Sequence, residues 1–172
     1  MNILLWLLEN TVNRMLKAII DTNVILQMIY SPKPINKSAS RRLFDIVASD
    51  QLKAYWCDIF SGETLRIMHT DPKLSKAKPQ YIDYRLNEII NHMDNIPMDN
   101  VNKERIKFSW DPGDKYDINE NDIYLAAMAF ITGAKYIITN DRPFTNAFND
   151  TYSLSETIAC SPGKFLSIEK IF

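Results

Sequence analysis

The sequence predicts an α/β fold built on a mainly parallel sheet. Short apolar, β-prone runs alternate with segments of helical periodicity, the pattern of repeated strand–helix–strand units. The 172 residues, 46% of them hydrophobic, suffice for one compact domain with its own core and are too few for two. No internal repeat, low-complexity tract or linker interrupts them.

The elements follow in order. Ala18 to Ile20 is an apolar run that stops at Asp-Thr-Asn, a strand followed by a turn. Val24 to Tyr30 begins a helix that Ser-Pro-Lys-Pro breaks. Ser38 to Ser49 carries Ala39, Leu43, Ile46 and Val47 at helical spacing, with Arg41 and Arg42 outside. Lys53 to Ile59, rich in aromatics, predicts the second strand. Ser61 to His69 then reads as a helix capped by Ser61 or Gly62, with Glu63 in its first turn. Tyr81 to Met93 is amphipathic through Ile82, Leu86, Ile89, Ile90 and Met93, and "NIPMDNV" is expected to enter an extended segment. Asp122 opens a helix carrying Leu125, Ala126, Met128 and Ala129, which Gly133 stops. Ala134 to Thr139 forms a β-branched strand ending near a second acid, Asp141, and residues 159–167 close the chain as a turn and a short helix.

Composition removes several functional classes. The net charge is −1 with 24% charged residues, so contact with nucleic acid has to come from a local patch. Cys57 and Cys160 are expected to be reduced, buried thiols in a cytoplasmic protein. The apolar run at residues 3–8 is too short to span a bilayer and has neither the basic start nor the cleavage site of a signal peptide. It reads either as an extra helix that packs on the domain or a partner, or as an extension ahead of a start at Met15. A serine triad and a Cys/His zinc cluster find no motif here, and four glycines leave no phosphate-cradling loop.

The acids form the candidate site. In a parallel sheet, strands ending at Asp21 and Asp141 bring both carboxylates to one edge, where α/β proteins place their sites. Asp122 opens the helix before the second of these strands, and Glu63 opens the helix after "YWCDIF", so both can face that edge. Carboxylates gathered there repel one another without a cation, and oxygen-only clusters suit Mg²⁺ or Mn²⁺. Each acid also has a purely structural reading. Asp21 can form an Asx-turn, Asp122 an N-cap, Glu63 a dipole-favoured first-turn charge, and Asp141 a turn before Arg142-Pro143.

Together these blocks resemble the PIN domain, the fold of metal-dependent ribonucleases that includes the VapC-type toxins. "IIDTN", Glu63 in "IFSGETLRIM", "NDIYLAAMAF" from Asp122, "GAKYIITND" and the late "SPGKFL" match the family's pattern over about residues 16–166. The resemblance implies a three-layer α/β/α sandwich over residues 15–172, preceded by an extension at 1–14. It implies that Asp21, Glu63, Asp122 and Asp141 hold Mg²⁺ (or Mn²⁺). Thr139 would orient Asp141, and Asn23 would brace the site without binding metal. The implied activity is hydrolysis of RNA phosphodiesters, leaving a 5′-phosphate and a 3′-hydroxyl. The implied partners are an RNA substrate, a cognate antitoxin and a second copy of the chain, with no membrane. The alternatives are a non-toxin PIN nuclease in RNA processing and a non-catalytic PIN-like binding module. A haloacid-dehalogenase-like phosphatase wants a second Asp at position 23, which is Asn.

Asp117 is a secondary candidate for the acidic edge, and Glu120 reads as a solvated loop charge. Arg142, beside Asp141, is the best placed of the basic candidates Arg41, Arg42, Lys73, Lys76, Lys78 and Arg142 for an RNA backbone. Selectivity would lie in the loops at 31–38 and 71–80. Trp6, Trp56 and Trp110 are expected in the core or an interface.

Overall fold

A computed structural model describes residues 15–30, 38–71, 79–105, 122–153 and 155–171. The N-terminal run with Trp6, the loops with Lys73, Lys76 and Lys78, and Trp110, Asp117 and Glu120 lie outside these residues. Five parallel strands, β1 (Leu16–Ile20), β2 (Leu52–Trp56), β3 (Asp94–Asn95), β4 (Tyr136–Ile138) and β5 (Ile158–Cys160), form one sheet in the order β3-β2-β1-β4-β5. The helices are α1 (Thr22–Tyr30), α2 (Ala39–Ala48), α3 (Asp58–Thr70), α4 (Pro79–Ile90), α5 (Met98–Arg105), α6 (Asp122–Thr132), α7 (Arg142–Thr151) and α8 (Pro162–Ile168). No described helix is long and apolar enough to cross a membrane.

Alternation along the strands makes the three layers. Ala18 pairs with Ala54 and Tyr136, and Ile20 with Ile138, all pointing to one face with Leu52 and Cys160. There they meet Val24 and Met28 of α1, Leu43 of α2, Leu86 of α4 and Phe165 of α8. Ile19 pairs with Tyr55 and Ile137 and points to the other face with Ala159. There they meet Val101 of α5, Leu125 and Met128 of α6, and Phe144 and Phe148 of α7. A central strand buried on both faces has to be apolar throughout, which is why the run before Asp21 holds no polar residue after Lys17.

The helix ends follow local chemistry. Ser38 caps α2 by accepting from the Arg41 amide at 3.4 Å, and Ser161 caps α8 by accepting from Lys164 N–H at 3.3 Å with Pro162 in the first turn. Cys57 and Cys160 are both buried and free. Their thiols are pushed up by burial, Cys160 to about 11. Trp56 is half-buried against the core.

Four expectations are corrected. The second strand ends at Trp56, and Cys57 is already the N-cap residue of α3. The apolar residues after it are helical because Phe60 is buried against the core, and the acid in the first turn is Asp58, not Glu63. "NIPMDNV" yields two strand residues and then α5, with Pro97 O accepting from the Asn100 and Val101 amides. Residues 142–151, to which the sequence assigns no element, are the helix α7, whose Phe144, Ala147 and Phe148 are buried at helical spacing. Ala159 and Cys160, read as a turn, lie in β5.

Gly133 ends α6 at φ +62°, a left-handed conformation that costs an L-residue about 1–2 kcal/mol, with no heavy atom near the position of an added Cβ. Gly133→Ala should therefore lower stability by about 1 kcal/mol through backbone strain alone. Gly133→Asn should cost less, because Asn tolerates this region. Urea denaturation of the three proteins checks the order.

Candidate active site

The site grows out of the central strand pair. Ile20 of β1 lies opposite Ile138 of β4, so the next residues, Asp21 and Thr139, emerge side by side. The Asp21 amide donates to Ile138 O at 3.1 Å and the Thr139 amide to Cys160 O at 3.0 Å, carrying the pairing past the strand ends. From β1 the chain progresses one way through β2 to β3, and from β4 the other way to β5. The crevice between β1 and β4 is thus the topological switch point, where open α/β sheets bind their ligands.

Asp21 is 8% exposed and Thr139 1%. The Thr139 hydroxyl donates to Asp21 Oδ2 at 2.5 Å, and Asn23 Nδ2 donates to the same oxygen at 2.6 Å. Thr139 Oγ1 in turn accepts from the Asp141 amide at 3.0 Å and from Asn23 Nδ2 at 3.2 Å. Asn23 Oδ1 accepts from the Asn140 amide at 3.1 Å. The hydroxyl thus uses its one donor and both acceptor positions, and Asn23 uses both N–H groups and its carbonyl. A network with every group engaged holds its members in one arrangement.

Glu63 and Asp141 stand around Asp21. The Thr22 hydroxyl, next in sequence to Asp21 and itself buried, donates to Glu63 Oε2 at 3.3 Å. Glu63 lies in the second turn of α3, so what places it at the site is the position of α3 after β2 and this bond, not a helix N-terminus. Asp141 caps α7, its Oδ1 accepting from the Phe144 amide at 2.8 Å. The turn expected at Asp141 is instead the N-cap of α7, in the connection that follows β4.

Asp122, half-buried, is the first described residue of α6. α6 crosses back from β3 to β4 and packs on β1 and β4, so its N-terminus lies at the acidic edge. Among the described residues, no three acidic, histidine or cysteine side chains are gathered as tightly as a bound ion requires.

The electrostatics of the site centre on Asp21. Burial pushes the Asp21 carboxyl up, and repulsion from Glu63 and Asp141 adds to it, while hydrogen bonds from Thr139 and the Thr22 amide oppose it; the result is about 6, from an ordinary 3.8. The all-oxygen donor set around a buried acid suits a hard divalent cation, whose charge would offset this repulsion.

Of the basic candidates, Arg142 is exposed on the first turn of α7 beside Asp141. Arg42 donates to Ile171 O at 2.8 Å, a tie to the C-terminal segment. His92 packs edge-on against Phe44, away from the acids. The reading of the sequence missed Thr22. Its only signal was a hydroxyl between Asp21 and Asn23, which does not reveal a partner 41 residues away.

The sequence matches the family model described as the PIN domain over residues 17–143, which include all four acids. No curated protein matches it. Among solved structures, it is similar to VapBC-1 from nontypeable Haemophilus influenzae, with 14% identity and TM-score 0.55 over 86% of this chain and 99% of that one. VapBC2 from Rickettsia felis, bound to a DNA fragment from its promoter, is similar at 13% identity and TM-score 0.52 over 85% and 98% of the two chains. A protein from Pyrobaculum aerophilum is similar at 11% identity and TM-score 0.52 over 84% of each. At these identities the likeness is one of fold.

The raised pKa has a sign. Its contribution to stability is complete below pH ~4, where Asp21 is neutral folded and unfolded, and is lost as pH rises through about 6. A shift of this size corresponds to at most about 3 kcal/mol. Asp21→Asn, in buffer with EDTA, should therefore melt above the unsubstituted protein at pH 8, with the gap closing towards pH 4. Thermal melts at both pH values check this; a gap independent of pH contradicts it.

Proposed function

This chain belongs to the PIN domain family, a family of nucleases, and from that premise we propose that it is a divalent-metal-dependent endoribonuclease acting as the toxin of a toxin–antitoxin pair. The observation that carries the reading is the buried Asp21 at the switch point, held by Asn23 and Thr139 and faced by Glu63 and Asp141. Structural aspartates at strand ends are normally solvated or used as caps, whereas this one is buried among like charges.

In this reading Asp21, Glu63, Asp122 and Asp141 hold Mg²⁺ or Mn²⁺. When bound, such an ion neutralises charge on a phosphodiester and lowers the pKa of water. The protein's part is to aim the ligands. Thr139 Oγ1 and Asn23 Nδ2 fix the Asp21 carboxylate, Thr22 draws Glu63 towards it, and the Phe144 amide sets the Asp141 rotamer. Arg142 offers an exposed cation beside the acids for the RNA backbone, which positions a strand without reading its sequence.

The toxin assignment draws on the VapBC assemblies, whose fold this chain shares over nearly their whole length. It carries with it an antitoxin partner and a homodimer. A non-catalytic module is disfavoured because it gains nothing from keeping repelling acids around a buried one.

Purified protein with Mg²⁺ or Mn²⁺ should cleave single-stranded RNA, and Asp21→Asn or Asp122→Asn should abolish cleavage with an unchanged circular dichroism spectrum. Thr139→Val, which removes only a positioning hydroxyl, should cost about 10- to 100-fold. Full cleavage by Asp21→Asn overturns the proposal. Growth arrest on expression, relieved by a co-expressed antitoxin, checks the toxin part.

A further inference from the structure

Charge is unevenly spread along the acidic edge. On the side of β2 and β3, α3 opens with Asp58 and α5 carries Asp99 in its first turn, both exposed. Asn95 Nδ2, at the end of β3, donates to Asp58 Oδ1 at 3.3 Å. Arg66 of α3 and Lys103 of α5 are exposed but stand further down their helices. On the side of β4 and β5 the sign reverses. α7 opens with Arg142 and α8 carries Lys164 as its third residue, both exposed, and neither helix has an acid in its first turn. α2 starts beside α8, since a Cβ on Gly163 would lie 3.9 Å from Ala39 Cβ. Its third residue is Arg41, again with no acid in the first turn.

The helix macrodipole favours acids in the first turn and disfavours cations. Asp58 and Asp99 follow that preference. Arg142, Lys164 and Arg41 run against it, so helix stability does not account for them. Lys164 lies near the end of β5, where its charge opposes the burial-driven rise of the Cys160 thiol. Arg41 Nε is buried and has no hydrogen-bond partner among the described residues. The end of β5 is two strand spacings, about 10 Å, from the end of β1 where Asp21 stands. The chain carries a net charge of −1, so a polyanion is drawn by this local field rather than by the protein as a whole.

We propose that a single-stranded RNA substrate runs from the acids over the C-terminal ends of β4 and β5, with Arg142, Lys164 and Arg41 on its phosphates, and makes no such contact on the β2–β3 side. The inference rests on the nuclease reading and adds to it a direction and two residues, Lys164 and Arg41. Cations along a strand fix its path and register without reading its sequence.

Fluorescence anisotropy of a short labelled single-stranded RNA, read on the full chain in EDTA over a series of salt concentrations, tests the path apart from cleavage. Lys164→Ala and Arg41→Ala should each flatten the slope of log Kd against log salt by about 0.7, the value for one phosphate contact on a single strand. Their circular dichroism spectra should match that of the unsubstituted protein. Arg66→Ala and Lys103→Ala should leave the slope as it is. With Mg²⁺ present, Lys164→Ala and Arg41→Ala should raise KM several-fold and leave kcat unchanged, because their contacts are made equally before and during reaction. Unchanged slopes in Lys164→Ala and Arg41→Ala, an equal flattening in Arg66→Ala and Lys103→Ala, or no binding at all would overturn the path, even in a protein that cleaves RNA. The expected slopes in a protein that cleaves no RNA would overturn the nuclease reading and leave the path as an RNA-binding surface.

Discussion

The hydrogen bond from Thr139 Oγ1 to Asp21 Oδ2 exists because β1 and β4 pair in one register, and most of what makes this molecule specific depends on that pairing. Ile20 opposite Ile138 puts the two following residues side by side, 118 positions apart in sequence. A slip of one residue would turn Ile19 and Ile20 to the wrong layers and separate the hydroxyl from the carboxylate at once. The same packing that buries the central strand on both faces therefore also sets the geometry of the acids.

The charge that this geometry confines is costly to the fold. Asp21 would be more stable in place if it were neutral, and Glu63 and Asp141 make its ionisation harder still. Hydrogen bonds from Thr139 and Asn23 offset part of that cost and hold the side chain where it is. Under the proposed metal-binding reading, a bound cation would offset the cost of an acid that burial and its neighbours both disfavour.

Much of this was legible in the sequence, for identifiable reasons. Apolar runs stopping at Asp21 and near Asp141 reported buried parallel strands, and Gly133 reported the end of α6 through its positive φ. Asp141 resisted a single reading because it is a strand-end acid and a helix cap together, and Pro143 in the first turn of α7 resembles a turn residue when seen locally. Glu63 was placed at a helix start because "YWCDIF" continues the aromatic character of β2, although the helix already begins at Asp58 and takes Phe60 into the core. β5, three residues long, has too short a pattern to announce itself. The link from Thr22 to Glu63 depends wholly on how α1 and α3 meet in space, which no local pattern encodes.

The central claim is that the acids around Asp21 are arranged for a divalent cation. Carbon-detected NMR titration of the aspartate carboxyls, without metal and with saturating Mg²⁺, tests it most directly. The account predicts an Asp21 pKa of about 6 in the metal-free protein. It predicts a fall to ~4 or below once Mg²⁺ is present, because an adjacent cation favours the charged carboxylate. A pKa that stays near its metal-free value at saturating Mg²⁺ would contradict it.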